Sequence, residues 1–140
     1  MTFEFFAPLE EIPRTTSQQK GFNRRTGQVY TKAKVRQVKN LYGFIFKTHR
    51  PPRIMTGAIR VKVIFFFPAK RPHKHGEPKT TRPDVENMSK ELLDAANGVL
   101  WADDSQIADL RLIKTYGEEC GIYLKAVEIG QGGVERDNDC

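Results

Sequence analysis

AIRVKVIFFF, Ala58–Phe67, alternates and then fills. Arg60 and Lys62 stand between Ile59, Val61 and Val63, after which Ile64–Phe67 is continuously apolar. The alternating part suits a strand with one wet face; the apolar part suits a strand entering a core. On its C-terminal side, Ala69–Arg82 mixes prolines and Gly76 with Lys70, Arg71, Lys74, Lys79 and Arg82, and reads as a basic loop. Asp84–Asn97 then reads as a helix. Asp84 suits its N-cap, Val85, Met88, Leu92 and Ala96 form an apolar stripe, and Gly98 is a stop signal. A strand, a helix and more strand is the grammar of an α/β domain.

The remaining segments complete that architecture. Thr2–Ala7 is apolar and aromatic, ends at Pro8, and is expected as a strand. Glu10–Gln28 is a long polar stretch with Pro13, Gly21 and Gly27, and reads as a basic loop carrying Arg14, Lys20, Arg24 and Arg25. Thr31–Lys47 reads as a helix, with Val35, Val38, Tyr42 and Ile45 at helical spacing, Lys32, Arg36 and Lys39 on another side, and Pro51-Pro52 forbidding continuation. Ile107–Tyr116 and Gly121–Ile129 read as strands joined by a short turn. The order is β-α-β-α-β-β, predicting a small single α/β domain with a mixed sheet over residues 1–129. The tail 130–140, lacking apolar periodicity, is expected to be mobile.

With 140 residues, 39% of them hydrophobic, one modest core is expected. A chain of this size buries roughly 70% of its unfolded surface, so a second copy would help it. No apolar run approaches the roughly 20 residues of a membrane-spanning helix. The N-terminus lacks the charged and apolar regions of a signal peptide. Cys120 and Cys140 form neither a disulfide framework nor a zinc pattern, which fits a reducing, cytoplasmic setting. The net charge of +6 conceals a division. Residues 1–83 hold 18 Lys/Arg against 4 Asp/Glu, a balance of +14, and residues 84–140 hold 5 against 13, a balance of −8. A basic half suits a polyanion, and clustered carboxylates suit cations. Solvated surface is the plainer reading of any single charge.

The stretch from Arg82 to Ile107 carries the chemistry. Asp84 and Glu86 open a helix, Lys90 follows Glu86 by one helical turn, and Asp103-Asp104 stand beside a predicted strand. Carboxylates converging there would be hard oxygen ligands, suited to Mg²⁺ or Mn²⁺. Such ions activate water and neutralise charge in phosphodiester hydrolysis, and Lys90 adds a cation for the phosphate. Each residue also has a plain structural reading. Asp84 suits a simple cap, Glu86 and Lys90 a surface pair worth about 0.3–0.5 kcal/mol, and Asp103-Asp104-Ser105 a polar turn. Trp101 is expected in the core or at a dimer contact.

Pro83-Asp84-Val85-Glu86-Asn87, Lys90, Asp94-Ala95, Asn97-Gly98, Asp103-Asp104 and Gln106 occur in that order within about 25 residues. The run resembles the signature of the RusA-like crossover-junction endodeoxyribonucleases, the Holliday-junction resolvases. Pro13-Arg14 and Gly27-x-Val29-Tyr30-Thr31 resemble that family's opening region more weakly. The resemblance implies a RusA-like fold and a homodimeric, Mg²⁺-dependent nuclease acting on four-way DNA junctions. By position it implies Asp84, Glu86 and Asp104 as metal ligands, with Asp103 adjacent, and Lys90 as the lysine needed for cleavage. Glu86 departs from the Asp usual in the family, which leaves the metal geometry and preference less fixed. Asp94 is expected in helical packing or as an ion-pair partner of Lys90. A two-fold dimer matches a near-two-fold junction, because it presents each site twice. Arg14, Lys20, Arg24, Arg25, Lys70, Arg71, Lys74 and Lys79 are the candidates for phosphates of the arms, contacts that position DNA without reading sequence. Two rival readings remain: a non-catalytic basic nucleic-acid-binding module, and a hydrolase of small phosphorylated substrates.

Overall fold

A computed structural model of the chain describes residues 1–13, 20–22, 29–31, 33–69 and 74–130. The alternating strand that ends in Ile64–Phe67 lies inside the sheet. β4 (Ile59–Pro68) pairs in parallel with β5 (Ile107–Gly117) on one side and antiparallel with β6 (Gly121–Glu128) on the other. β6 in turn pairs antiparallel with β1 (Thr2–Pro8), giving the mixed order β1-β6-β4-β5. The link between β5 and β6 is short, yet these strands are not neighbours; it steps across the end of β4.

Two helices cover one face of the sheet, α1 (Ala33–His49) and α2 (Val85–Ala96). Alternation decides which side chains they meet. Val61, Val63, Phe65 and Phe67 of β4 are buried with Ile122, Leu124 and Ala126 of β6 and Phe5 and Ala7 of β1. Val35, Val38, Tyr42 and Ile45 of α1 are buried as their spacing predicts, joined by Phe46. Trp101 is fully buried, so it belongs to the core of the single chain. Among the described residues no helix is long and apolar enough to cross a membrane.

The element order departs from the expected one in the first third. Part of Glu10–Gln28 is not loop: Lys20–Phe22 (β2) pairs antiparallel with Val29–Thr31 (β3) as a small second sheet. Thr31 therefore ends a strand, and α1 starts at Ala33. A three-residue strand beside polar neighbours leaves no readable alternation, which explains why composition alone suggested a loop. The expected tail beyond Gly130 lies outside the described residues.

On α2 the stripe also differs. Val85 is only half-buried, while Ser89 and Glu91 are buried with Met88, Leu92 and Ala96. Ser89 hides its hydroxyl by donating to the Glu86 carbonyl at 2.7 Å. Glu91 faces α1, where the Lys39 ammonium lies 3.6 Å away. The same ammonium lies 3.5 Å from Asp94, so the partner of Asp94 is Lys39 and not Lys90. The reason is geometric. α1 packs against α2 and brings a cation between two α2 carboxylates.

Candidate active site

The chain reaches α2 along a strap on the edge strand β5. Gly76 N–H donates to the Tyr116 carbonyl, Tyr116 N–H to the Glu77 carbonyl, and Lys79 N–H to the Lys114 carbonyl. As residue numbers rise along the strap they fall along β5, so the strap travels back toward the start of that strand. Lys114 then fastens its end, its ammonium donating to the carbonyls of Thr81 at 2.5 Å and Pro83 at 2.8 Å. This grip sets where the Asp84 backbone lies. Composition carries no distinct signal for it, because Lys114 shares β5 with the charged Asp109 and Arg111.

Asp84 occupies the N-cap position of α2, but its side chain makes no capping hydrogen bond. Its carboxylate is exposed. Glu86 and Lys90 lie on the exposed ridge of α2, and among the described residues neither side chain has a hydrogen bond or ion pair. The two plain readings, a cap bond and a surface Glu86–Lys90 pair, therefore do not describe this surface.

The later aspartates precede β5 on a short 3₁₀ turn, Asp104–Gln106, which packs against α2. They have different duties. Asp103 caps the turn, its carboxylate accepting from Ser105 N–H at 3.0 Å, and hydrogen bonding by Ser105 holds its carboxyl below the usual range. Asp104 is exposed and has no such role. Of the adjacent pair, Asp104 is the carboxylate left available.

Gln106 pins this turn. Its side-chain oxygen accepts from the N–H groups of Ala102 at 2.8 Å and Asp103 at 3.0 Å. Its amide nitrogen donates to the carbonyls of Met55 at 3.1 Å and Gly57 at 3.0 Å. Behind it, Trp101 Nε1 donates to Asn97 Oδ1 at 2.9 Å, and Gly98 turns the chain at φ +79. The 55–57 loop is anchored from its other side. Glu128 accepts from both terminal nitrogens of Arg53, at 2.9 and 2.8 Å, and from Thr56 N–H at 2.8 Å. These bonds hold the Glu128 carboxyl far below the usual carboxylate range. Asn97, Gly98 and Gln106 of the motif are thus structural, and their work is to place the Asp103–Asp104 turn.

Among the described residues no three His, Cys, Asp or Glu side chains stand close enough to form a ready-made metal cage. The donors that are present still fit a hard divalent ion. They are oxygen-only and exposed, Asp84 and Glu86 at the start of α2 and Asp104 on the turn that packs against that helix. Mg²⁺ typically keeps several waters and is held by one or two carboxylates together with substrate phosphates, not by an all-protein cage.

A profile of the endodeoxyribonuclease RusA family matches residues 11–126. The chain belongs to the RusA family. It is 31% identical over 139 residues to the crossover junction endodeoxyribonuclease RusA of Lactococcus phage r1t, covering 92% of this chain and all of that protein. It is also 32% identical over 118 residues to the uncharacterized protein YqaN of Bacillus subtilis strain 168, covering 75% and 83% of the two chains. The RusA match places this protein among the endodeoxyribonucleases and spans every candidate of the acidic run.

The basic candidates are less completely placed. Arg14, Arg24, Arg25, Lys70 and Arg71 lie outside the described residues, and Lys20 is placed by its backbone, in β2. Lys74 is exposed on the loop that feeds the strap. Lys79 is half-buried, its ammonium 5.0 Å from the Phe67 ring centre, 5.4 Å from that of Tyr116 and 2.6 Å from the Thr81 hydroxyl. Those contacts commit Lys79 to the sheet and to its own strap.

The pin yields a direct prediction. Gln106→Glu keeps the length and the acceptor but sets a carboxylate against two carbonyls. Losing two hydrogen bonds in this way is expected to cost about 2 kcal/mol in urea unfolding. For a group that serves the reaction, as expected of Asp104, a misplacement of about 1 Å would lower the rate by about 100-fold. Single-turnover DNA cleavage, measured well below the unfolding midpoint, should fall by that order while DNA binding in chelator is kept. A wild-type cleavage rate would remove Gln106 from the site.

Proposed function

We propose that this RusA-family protein is a divalent-metal-dependent endonuclease that resolves four-way DNA junctions by paired nicks as a homodimer. Recombination, repair or phage DNA processing is its setting. The observation that carries the reading is a set of exposed groups without side-chain partners among the described residues: Asp84, Glu86 and Lys90 on α2, with Asp104 on the turn that packs against it. Asp84, Glu86 and Asp104 would supply the carboxylates for Mg²⁺ or Mn²⁺, with Asp103 beside Asp104, and water and substrate phosphate would complete the shell. When bound, the ion supplies an activated water and neutralises charge on the phosphoryl oxygens.

The protein's own groups do the rest. Lys114 and Gln106 fix the two backbone segments from which the carboxylates project. Lys90, one turn beyond Glu86, meets the scissile phosphate or the leaving oxygen. Lys74 and the basic residues of the first half neutralise backbone phosphates and seat the arms. The phage relative's name supports the junction as substrate. Two cysteines without a disulfide framework, Cys120 a free thiol, support a cytoplasmic setting.

The second copy is assigned to the sheet face turned away from the helices. There Phe6, Ile64, Phe66 and Tyr123 line an apolar cleft with Lys62 at one side and Glu118 and Glu119 at another. A two-fold mate would bring its carboxylates to Lys62 and cover the aromatic rings, as a self-complementary interface requires.

The test uses a labelled four-way junction, linear duplex of the same sequence, and a supercoiled plasmid extruding a cruciform, each with and without Mg²⁺. Cleavage should be confined to the branched substrates and to reactions containing metal. The plasmid should run as linear molecules, the product of two nicks within one binding event. Binding without cleavage in Mg²⁺ or Mn²⁺ would favour the non-catalytic reading, and nicked circles alone would remove the paired mechanism.

A further inference from the structure

A second basic feature lies outside the loops that the sequence singled out. Where α1 ends, the chain passes through Pro51 and Pro52 into the 53–57 loop, and an open cleft of about 550 Å³ forms against the turn that follows α2. Lys47, Arg50 and Arg53 line it with the two prolines and Ile54; Gly98 and Val99 form the opposite wall. The cations are not equivalent. Arg53 is spent on Glu128, which takes both of its terminal nitrogens. Lys47 and Arg50 are exposed, and among the described residues neither has a side-chain hydrogen bond or ion pair.

We propose that this cleft is a DNA-backbone subsite, in which Lys47 and Arg50 hold a phosphate and the Pro51–Pro52–Ile54 wall packs against the adjoining sugar. The proposal rests on the nuclease reading and deepens it by naming a place where the substrate strand is held. Three features carry it. Pro51 and Pro52 offer no N–H group and Arg53 is engaged by Glu128, so Lys47 and Arg50 are the uncommitted cations that face an anion here. The volume is that of a small-ligand cleft, enough for a nucleotide's phosphate and sugar and far more than an ion needs. The walls are fixed relative to the carboxylates. Met55 N–H donates to the Leu100 carbonyl at 2.8 Å, and Gln106 joins the 55–57 loop to the Asp103–Asp104 turn. A phosphate seated in the cleft is thereby held in register with Asp104. Complementing the α1 dipole explains a basic last turn, but Arg50 lies beyond the helix and gains little from that effect.

The experiment measures junction binding in chelator across a salt series, for wild type, Lys47→Gln/Arg50→Gln, the charge-preserving Lys47→Arg/Arg50→Lys, and Ile54→Glu. All three positions are exposed, and urea unfolding checks that each variant is folded. A cation touching a phosphate contributes about one unit to the salt slope and, near 0.1 M salt, about tenfold in affinity. The neutralised pair should therefore bind about 10- to 100-fold more weakly, with a slope lower by about two units. The charge-preserving pair should keep the wild-type slope, and Ile54→Glu should weaken binding about tenfold. Unchanged affinity and slope in the neutralised pair overturn the proposal. So does weaker binding at an unchanged slope, since that marks a loss that involves no cation–phosphate contact. Wild-type cleavage of the same junction in Mg²⁺ is read in parallel, so failure of the nuclease reading is distinguished from failure of the subsite.

Discussion

Asp84→Asn and Asp104→Asn should each lower single-turnover cleavage of a four-way junction by about a thousandfold, with folding and junction binding intact. The size follows from what the ion does. A bound metal supplies several kcal/mol of charge stabilisation, and each 1.36 kcal/mol of barrier is a factor of about ten. An amide keeps the carboxylate's shape but not the charge that holds a cation. The structure makes the substitutions clean. The Asp84 side chain makes no capping bond, and Asp104 leaves the capping of its turn to Asp103. Neither amide therefore removes a contact that supports the fold. Urea unfolding should stay within about 0.5 kcal/mol of wild type, as for ordinary surface changes. Junction affinity in chelator should hold or rise, since less negative charge then faces the phosphates. Full activity of either variant, or cleavage undiminished by excess chelator, would sink the metal assignment.

The same residues show what was legible from sequence. Long periodic segments were. The alternation of Ile59, Val61, Val63 and Phe65, and the helical recurrence of Val38, Tyr42 and Ile45, are imposed by burial on one face, and all of these side chains are in the core. The acidic residues were legible as a motif because their order along the chain is itself a pattern. Their duties were not. Nothing in the dipeptide Asp103-Asp104 says that the first caps a turn and the second is left over; the hydrogen bond to Ser105 says it. Gln106 was visible as a motif member, but its four bonds join segments about fifty positions apart, and spacing along a chain carries no such information. Glu91 was hidden for the same reason. A carboxylate in an apolar stripe is tolerated only because α1 brings Lys39 to it, a fact of tertiary packing. The β2–β3 pairing is short enough that propensity had nothing to average over.

Lys90→Ala should lower the cleavage rate by about 100-fold or more, while junction affinity and the Mg²⁺ concentration for half-maximal rate stay near wild type. A positioned group that donates a proton or stabilises charge at the reacting phosphate contributes about that much. Lys90 is placed for this and for little else. It sits on the exposed ridge of α2, one turn beyond Glu86, with no side-chain partner among the described residues. Removing it therefore breaks no ion pair, and the unfolding midpoint should not move. Asp94, the other acid within reach along that ridge, is engaged by Lys39, so the helix does not need Lys90 to balance it. Lys90→Arg separates charge from geometry. If only a positive potential is needed, Arg restores most of the rate. If the compact ammonium must reach one oxygen, the wider guanidinium restores little. Single-turnover rates with saturating enzyme isolate the chemical step from binding. A Lys90→Ala rate within about twofold of wild type would return Lys90 to the ordinary solvated surface, where a lone lysine contributes less than about 1 kcal/mol.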